Sequence, residues 1–309
     1  MDSRQQILSL LKTSTDVISG ETLSAAVGVS RVSVWKHIKA MNHFGIPIQA
    51  SPKGYRLVRD PDSLRPWEFD SRQDRIRFFE ETPSTMDEAT ALARKACPSF
   101  TVAVAQRQTR GRGRLQRTWS SGDGGLYFTI VLRPDIALMQ AGLVNLAAAV
   151  DMADVLRCDY AVKARLKWPN DILVGNGKIC GVLSQMEVEG DQLRYLAVGL
   201  GLNVNNVPES ELPLATSLMG LLGRKVPRRL VLTAFLDRFE RRMAAFDADA
   251  VIEQWRANAV TIGQPVRVVT VKACIEGMAV DVDRYGGLIL QLADGSRRTV
   301  RVGDCFHRE

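Results

Sequence analysis

Residues 21–58 read "ETLSAAVGVSRVSVWKHIKAMNHFGIPIQASPKGYRLV", and they decide how the N-terminal part of the chain folds. "ETLSAAVG" is a short helical run ending at Gly28, and Ser30 is a good N-cap for a further helix running to Phe44. In that helix Val34, Ile38 and Met41 fall at i, i+4 and i+7, one apolar stripe that leaves Arg31, Ser33, Lys36, His37 and Lys39 on other faces. Upstream, Ile7, Leu10 and Leu11 repeat at helical spacing and predict a first helix. Downstream, Ile46 and Ile48 alternate, Pro52-Lys53-Gly54 makes a turn, and Tyr55 and Leu57 alternate again, which predicts a hairpin. Three helices followed by a hairpin form a winged helix-turn-helix, assigned here to residues 1–62.

Between Thr22 and Arg59 there are six basic residues (Arg31, Lys36, Lys39, Lys53, Arg56 and Arg59) and no acidic one. A charge run is ordinarily a solvated face. Here the cations gather on the candidate recognition helix and on the wing, where the phosphates of a duplex would lie. Ser30, Arg31, Ser33, Lys36, His37 and Lys53 are therefore the candidate DNA-contacting residues, with a packing or dimerisation role as the alternative reading. Trp35 borders the apolar stripe and reads as a core or wall residue rather than a base contact.

The whole chain of 309 residues carries a formal charge of +7, with 46% hydrophobic and 24% charged residues. Those are ordinary globular values that allow a real core and exclude extended disorder, and the positive balance favours anionic partners. Five cysteines (Cys97, Cys158, Cys180, Cys274 and Cys305) lie far apart with no CxxC pair, a pattern of reduced thiols rather than disulfides or a cysteine zinc site. The N-terminal "MDSRQQILSLLKTS" lacks the charged and apolar regions of a signal sequence, and no segment reaches the 18 apolar residues of a spanning helix. A soluble cytoplasmic protein without a membrane partner is the expectation.

"RDPDSLRPWEFD" (59–70) reads as the boundary into a larger unit, 72–258. That unit mixes strand-like runs such as "TVAVAQRQ", "GLYFTIVLR" and "ICGVLSQMEV" with helical runs such as "STMDEATALARKA", where Ser84 can cap, and "MQAGLVNLAAAVDMADVLR". Residues 262–309 change to short alternating strands with Gly and Asp-Gly turns, the pattern of a small β-barrel. The predicted class is α+β: a winged helix-turn-helix, a central mixed α/β domain and a small C-terminal barrel.

The histidines are His37, His43 and His307, none of them within 72–258. A Ser-His-Asp triad, a histidine zinc site and an HExxH motif are thereby excluded from the large domain. There is no GxxxxGK[ST] loop, and "GRGRLQ" fails GxGxxG because Gln116 stands where the third glycine belongs.

Three stretches remain. From Ala89 to Gly122 there is no carboxylate, while Arg107, Arg110, Arg112, Arg114 and Arg117 crowd "RQTRGRGRLQR". Glycines admit close backbone approach and guanidinium groups pair with phosphate or carboxylate, so the run reads as a mobile loop that orders over a small anion. A disordered nucleic-acid-binding segment is the alternative, weakened by the apolar strands that flank the run. In "KWPNDILVGNGKICGVL" (167–183), Pro169, Asn170 and Asp171 make a turn and Gly175-Asn176-Gly177 a hairpin that carries Lys178 onto a strand. In "GLGLNVN", Gly199, Gly201 and Asn203 alternate on one face, leaving room beside the strand for a flat ring or simply for close packing.

"GRGR" followed by Trp119, "KWPND" followed by the hairpin with Lys178, and "GLGLNVN" together closely resemble the biotin protein ligases. With the winged helix, the chain resembles the bifunctional members of that family, which also repress the biotin operon. The resemblance runs over nearly the whole length and implies a winged helix, a ligase domain and an SH3-like C-terminal barrel in that order. It implies that biotin and ATP, with Mg²⁺, give biotinyl-5′-adenylate and pyrophosphate, and that a lysine of the biotin carboxyl carrier protein then takes the biotinyl group. Such a reaction brings two anions together and needs cations, not a histidine.

By that resemblance, Ser84, Thr85 and Gln108 would bond the biotin ureido ring with Gly111 and Arg112 closing over it. Arg114 and Lys178 would meet carboxyl and phosphoryl oxygens, Trp119 would stack as the nucleotide loop closes, and Asn170 and Asn203 would contact the adenylate. Asp171 would orient or deprotonate the incoming lysine. No residue is assigned as a metal ligand. Further implied partners are biotin operator DNA and a second copy of the chain upon adenylate binding. Two departures stand out: Leu115-Gln116 where many relatives continue with arginine and glycine, and Met86-Asp87 where an asparagine is common. A lipoate or octanoyl transferase, and a biotin-responsive transcription factor with weak or no ligase activity, are the competing readings.

Overall fold

The computed structural model describes residues 3–43, 45–58, 62–206 and 215–307 and divides into two compact units, Met1–Pro61 and Asp62–Glu309. In the first, helices α1 (Ser3–Thr13), α2 (Gly20–Val27) and α3 (Arg31–His43) precede strands β1 (Ile48–Ser51) and β2 (Gly54–Leu57). Each boundary has a chemical cause. Ser19 Oγ accepts from Thr22 N at the start of α2, and Gly28, in the left-handed region at φ 72°, closes it with its N–H on Ser24 O. Ser30 Oγ accepts from Ser33 N at 3.1 Å and opens α3. Ile7, Leu11, Val34, Ile38 and Met41 are buried as expected, whereas Leu10 is half-buried and Leu8 and Leu23 fill the interior instead.

Ile18 joins the edge of the two-stranded hairpin through an isolated bridge, exchanging both backbone bonds with Tyr55 at 2.9 and 2.8 Å. A Cβ on Gly54, which sits at φ 140°, would lie 2.1 Å from Ile18 O, so only glycine fits where the wing crosses this segment. Trp35 departs from expectation: it stands outside the packed stripe of α3 and is 50% exposed. Phe44, the expected end of α3, and Arg59, the last member of the basic run, lie outside the described residues.

The second unit is built on a seven-stranded sheet of order β3-β4-β5-β9-β8-β7-β6, formed by β3 (Ile76–Thr82), β4 (Thr101–Gln108), β5 (Leu126–Leu132), β6 (Ala164–Lys167), β7 (Asp171–Val174), β8 (Gly177–Glu189) and β9 (Gln192–Leu202). Among the paired strands of the described residues, β3 and β4 alone run parallel, and the rest pair antiparallel. Helix α4 (Thr85–Arg94) covers one face, and α5 (Ala141–Cys158), α7 (Arg228–Ala244) and α8 (Ala248–Asn258) the other, with α6 (Leu218–Leu222) a single short turn between β9 and α7. Alternate residues therefore enter two separate cores: Val102, Val104, Phe128 and Ile130 join α5, while Ala103, Val131 and Ala197 meet Met86, Ala89 and Ala93 of α4.

Residues 138–158, with mean hydropathy 1.2, are long and apolar enough to cross a membrane. The stretch is not a run of 18 apolar residues, since Asn145, Asp151 and Asp154 interrupt it; 67% of its apolar window is buried, and thirteen residues of α5 lie in the interior. Strands β10 (Pro265–Val269), β11 (Cys274–Val282), β12 (Leu288–Gln291), β13 (Arg297–Val300) and β14 (Asp304–His307) form an antiparallel sheet of order β13-β12-β11-β10-β14 in the same compact unit.

Candidate active site

Helix α4 is ten residues long and covers only part of its face of the sheet. Beyond its N-terminus β9 carries Gly199 and Gly201 and β8 carries Gly181, paired with Gly201, so side chains leave the sheet bare there. A cavity of about 290 Å³ occupies this ground. Ser84, Thr85 and Met86 wall one side, Gln108 enters from the end of β4, residues 112–114 and 117–120 form the roof, and Asn170, Asp171 and Lys178 close the far side. Of the residues expected to serve biotin, adenylate or catalysis, Ser84, Thr85, Gln108, Arg112, Arg114, Trp119, Asn170, Asp171, Lys178 and Asn203 all line it. Gly111 lies instead where the loop crosses its own return: a Cβ there would stand 2.3 Å from Trp119 O and 2.4 Å from Ser121 Oγ.

A continuous chain of hydrogen bonds forms the polar wall. Thr129 and Thr85 hydroxyls meet at 2.9 Å, Thr85 N and Oγ1 donate to Gln108 Oε1 at 2.8 and 3.1 Å, and Gln108 Nε2 donates to Ser121 Oγ at 2.8 Å. Ser84 caps α4 through Met86 N at 3.3 Å. The chain is a set of alternating donors and acceptors, suited to a small flat ligand carrying both a carbonyl and N–H groups.

The roof is a folded loop. Arg112 bridges Thr118, Trp119 N donates to Gly111 O at 2.9 Å, and Gly113 N donates to Arg117 O at 2.7 Å. Leu115 adopts φ 48°, a left-handed turn residue where glycine would be unstrained. The local sequence has no carboxylate, but the fold supplies them: Arg107 pairs with Glu81 at 2.6 Å, Arg112 with Asp87 at 2.7 Å and Arg117 with Asp304 at 2.6 Å. Asp87 is one of the departures from the family pattern, and it anchors the loop to α4. Arg114 instead donates to the carbonyl of Gly303 at 3.0 Å. Burial lowers its pKa from the usual value, against the attraction of Asp304 and Asp171.

The KWPND turn joins β6 to β7, with Lys167 paired to Asp171. Trp168 is buried; its backbone N–H donates to Thr261 Oγ1 at 2.9 Å and its indole N–H to Gly286 O at 3.0 Å, so the turn is fastened to the C-terminal sheet. Asn170 Nδ2 donates to Val182 O at 2.7 Å. The Gly175-Asn176 turn then brings Lys178 back so that its Nζ lies 2.6 Å from Asp171 Oδ1 and 5.1 Å from the Trp119 ring centroid. That indole fills the room beside the glycines: a Cβ on Gly201 would meet its Nε1 at 2.5 Å, and one on Gly181 its Cζ3 at 3.1 Å. The place beside Gly199 is taken by Met86 and Thr129. Asn203 lines the cavity with its amide engaged, donating to Thr216 O at 3.1 Å and accepting from Asn206 Nδ2 at 2.9 Å.

Sequence reasoning missed Thr129, Gly181, Leu183, Asn206 and Asp304 as lining residues. Gly181 becomes legible only with the β8–β9 register, and Asp304 arrives from a different sheet with no local signal. On the first unit, Arg31, Lys36 and Lys53 are exposed, His37 is half-buried, and the Ser30 and Ser33 hydroxyls bond one another at 3.0 Å.

Comparison with known proteins agrees with this geometry. The biotin/lipoate A/B protein ligase family model matches residues 78–203, an HTH domain model residues 3–56, and a biotin protein ligase C terminal domain model residues 261–308. The chain is similar to the bifunctional ligase/repressor BirA of Bacillus subtilis (strain 168), 32% identical over 96% of both chains, and to the biotin–[acetyl-CoA-carboxylase] ligase of Paracoccus denitrificans, 32% identical over 73% of this chain and 97% of that one. The structure of a biotin protein ligase from Aquifex aeolicus in complex with biotin and ATP superposes with a TM-score of 0.63 at 30% identity, covering 75% of this chain and 98% of the other. The chain belongs to the biotin protein ligase family, in the bifunctional form that joins a helix-turn-helix domain to the ligase.

Proposed function

We propose that this protein joins biotin to a biotin carboxyl carrier protein through biotinyl-5′-adenylate, and that its N-terminal domain makes it a biotin-dependent repressor of biotin synthesis genes. The observation that carries the reading is the convergence of the arginine-glycine loop, the Asp171–Lys178 pair and the glycine-floored strand on one cavity. The domains are assigned as 1–62 for DNA, 72–258 for catalysis and 262–309 as the SH3-like C-terminal domain.

In the first step a biotin carboxylate oxygen attacks the α-phosphorus of ATP and pyrophosphate leaves. Lys178 and Arg114 offset the repulsion of the two anions, and a lysine or arginine so placed acts by electrostatic preorganisation. Ser84, Thr85 and Gln108 hold the ureido ring, with Gly111 and Arg112 over it. Trp119, Asn170 and Asn203 support the adenylate. In the second step the neutral amine of the carrier lysine attacks the anhydride carbonyl and AMP leaves; Asp171 orients that amine and accepts its proton.

Mg²⁺ enters as part of the nucleotide substrate. Among the described residues no group of three His, Cys, Asp or Glu could cage a metal, and Mg²⁺ commonly rides on phosphates with its waters. Cytoplasmic location and dimerisation on adenylate binding complete the reading; a dimer would present two recognition helices to a two-fold operator.

Incubation with biotin, ATP, Mg²⁺ and an apo carrier domain, followed by streptavidin blotting, tests it. A labelled carrier lysine is the expected outcome. Labelling only with lipoate, or adenylate binding without transfer, would replace the proposal with a lipoate transferase or with a sensor.

A further inference from the structure

Helix α3 has an apolar feature that its own core does not use. Val34, Ile38 and Met41 are 3% exposed or less and define the buried side. At 100° per residue, Val32, Lys36 and Lys39 stand opposite that side and Trp35 stands at its flank, between the two. Val32 is 63% and Trp35 50% exposed. The Lys39 ammonium lies 5.2 Å from the Trp35 ring centroid, which holds the indole beside the cationic face. Two large apolar side chains one turn apart on a solvent-facing helix mark a contact surface rather than packing. Residues 22–58 contain no carboxylate, while Arg31, Lys36, Lys39, Lys53 and Arg56 all carry positive charge. An apolar protein partner would find that face costly to desolvate, whereas a polyanion would not.

We infer that Val32 and Trp35 are specificity-determining residues for duplex DNA, making apolar contact with thymine 5-methyl groups in the major groove. The neighbouring cations hold phosphates. The chemistry divides cleanly. Phosphate contacts by Lys36, Lys39 and Arg31 set affinity without reading sequence. The thymine methyl is the one apolar group that a base edge offers in the major groove. Val32 has no hydrogen-bonding group and Trp35 offers a broad apolar ring beside its single N–H donor, so on the exposed face of a helix whose first turn carries Arg31 their apolar surfaces match that group. Ser30 and Ser33, expected to contact DNA, bond one another through their hydroxyls at 3.0 Å, which leaves one hydroxyl hydrogen of the pair to donate elsewhere. The inference rests on the proposed DNA binding and adds what part of the base pair is read.

The test begins with selection of binding sites from a random duplex library by the full chain, with biotin, ATP and Mg²⁺ and again without. Affinity for the selected duplex is then compared with that for the same duplex carrying deoxyuridine at each thymine in turn. Loss of one methyl at a contacted step is expected to weaken binding about five-fold or more, the scale of a single lost base contact. Trp35→Ala and Val32→Ala should bind the parent duplex that much more weakly, lose the distinction between thymine and uracil, and keep their affinity and salt slope for non-specific DNA. Lys36→Ala should do the reverse, lowering the salt slope and preserving the methyl effect. Carrier biotinylation and the urea midpoint report that the variants remain folded. A selected site without thymine, or equal binding of every uracil-substituted duplex by the unmodified chain, would overturn the inference while leaving DNA binding intact. Recovery of no site under either condition would remove both.

Discussion

Lys178 and Asp171 face each other across the hairpin that follows KWPND, with Nζ and Oδ1 2.6 Å apart. Their roles separate by reaction step. Lys178→Gln is expected to slow biotin-dependent pyrophosphate release by about 10²–10³, the usual cost of removing one preorganised charge-stabilising donor. Asp171→Asn is expected to leave pyrophosphate release close to normal and to slow transfer to the carrier by about 10²-fold, the lower range for a lost general base. Single-turnover measurement of the two steps checks the split; equal loss in both steps from Asp171→Asn would refute it.

Gly201 has no room for a methyl group, because Trp119 stands 2.5 Å from where the Cβ would be. Gly201→Ala should push the indole off the strand and weaken ATP more than biotin. Titration calorimetry with each ligand would show it, and a variant with both affinities unchanged would contradict the assignment of Trp119 to the nucleotide.

Arg114 is held by a carbonyl rather than a carboxylate, so it exchanges partners at little electrostatic cost. Arg114→Gly is expected to release adenylate early and to label bystander lysines on added serum albumin. Streptavidin blots that show the carrier alone would remove Arg114 from that role.

Asp151 is 2% exposed and accepts three bonds from Arg242, at 2.6 to 2.9 Å. Burial raises its pKa and Arg242 opposes the rise. Arg242→Ala strands a buried carboxylate and should lower unfolding free energy by about 3–5 kcal/mol. An Asp151→Leu/Arg242→Met pair should recover most of that in urea titrations, since an apolar pair of similar size leaves no charge behind.

His307 sits beside Thr261 Oγ1 at 3.2 Å, and burial, with Lys167 nearby, lowers its pKa below 6.5. A depressed histidine binds its proton less readily folded than unfolded, so stability is full above pH 6.5 and declines as pH falls through that value toward the folded pKa. Melting temperatures at about pH 7.5 and about pH 5.5, either side of the ordinary histidine value, should differ more for the native chain than for His307→Asn. Thr261 also holds Trp168 N, so carrier labelling should weaken over the same pH range.

Much of the fold and site is legible in the sequence. The stripe of Val34, Ile38 and Met41, the Ser30 and Ser84 caps and the two turns around Lys178 follow from local spacing and turn chemistry, and those forces act over a few residues. Glycine alternation in β9 points to an open floor; which side chain fills it depends on the β8–β9 register, and Trp119 comes from a loop far away in the chain. Asp304 is invisible because ion pairing across sheets leaves no trace in the neighbouring sequence. Trp35 reads as core because a position at the edge of an apolar stripe satisfies either environment, and only the packed helices decide between them.

Arg112, Arg117 and Lys178 each already hold a carboxylate. Ligand capture at this cleft is consequently a swap of counter-charges, not the filling of a bare electropositive basin. Added salt screens the ion pairs that open and the ligand pairs that replace them alike, so small-molecule affinity should vary little with ionic strength. Helix α3, the proposed DNA-reading helix, has no carboxylate in its own sequence, and the proposed duplex binding should weaken steeply over the same range.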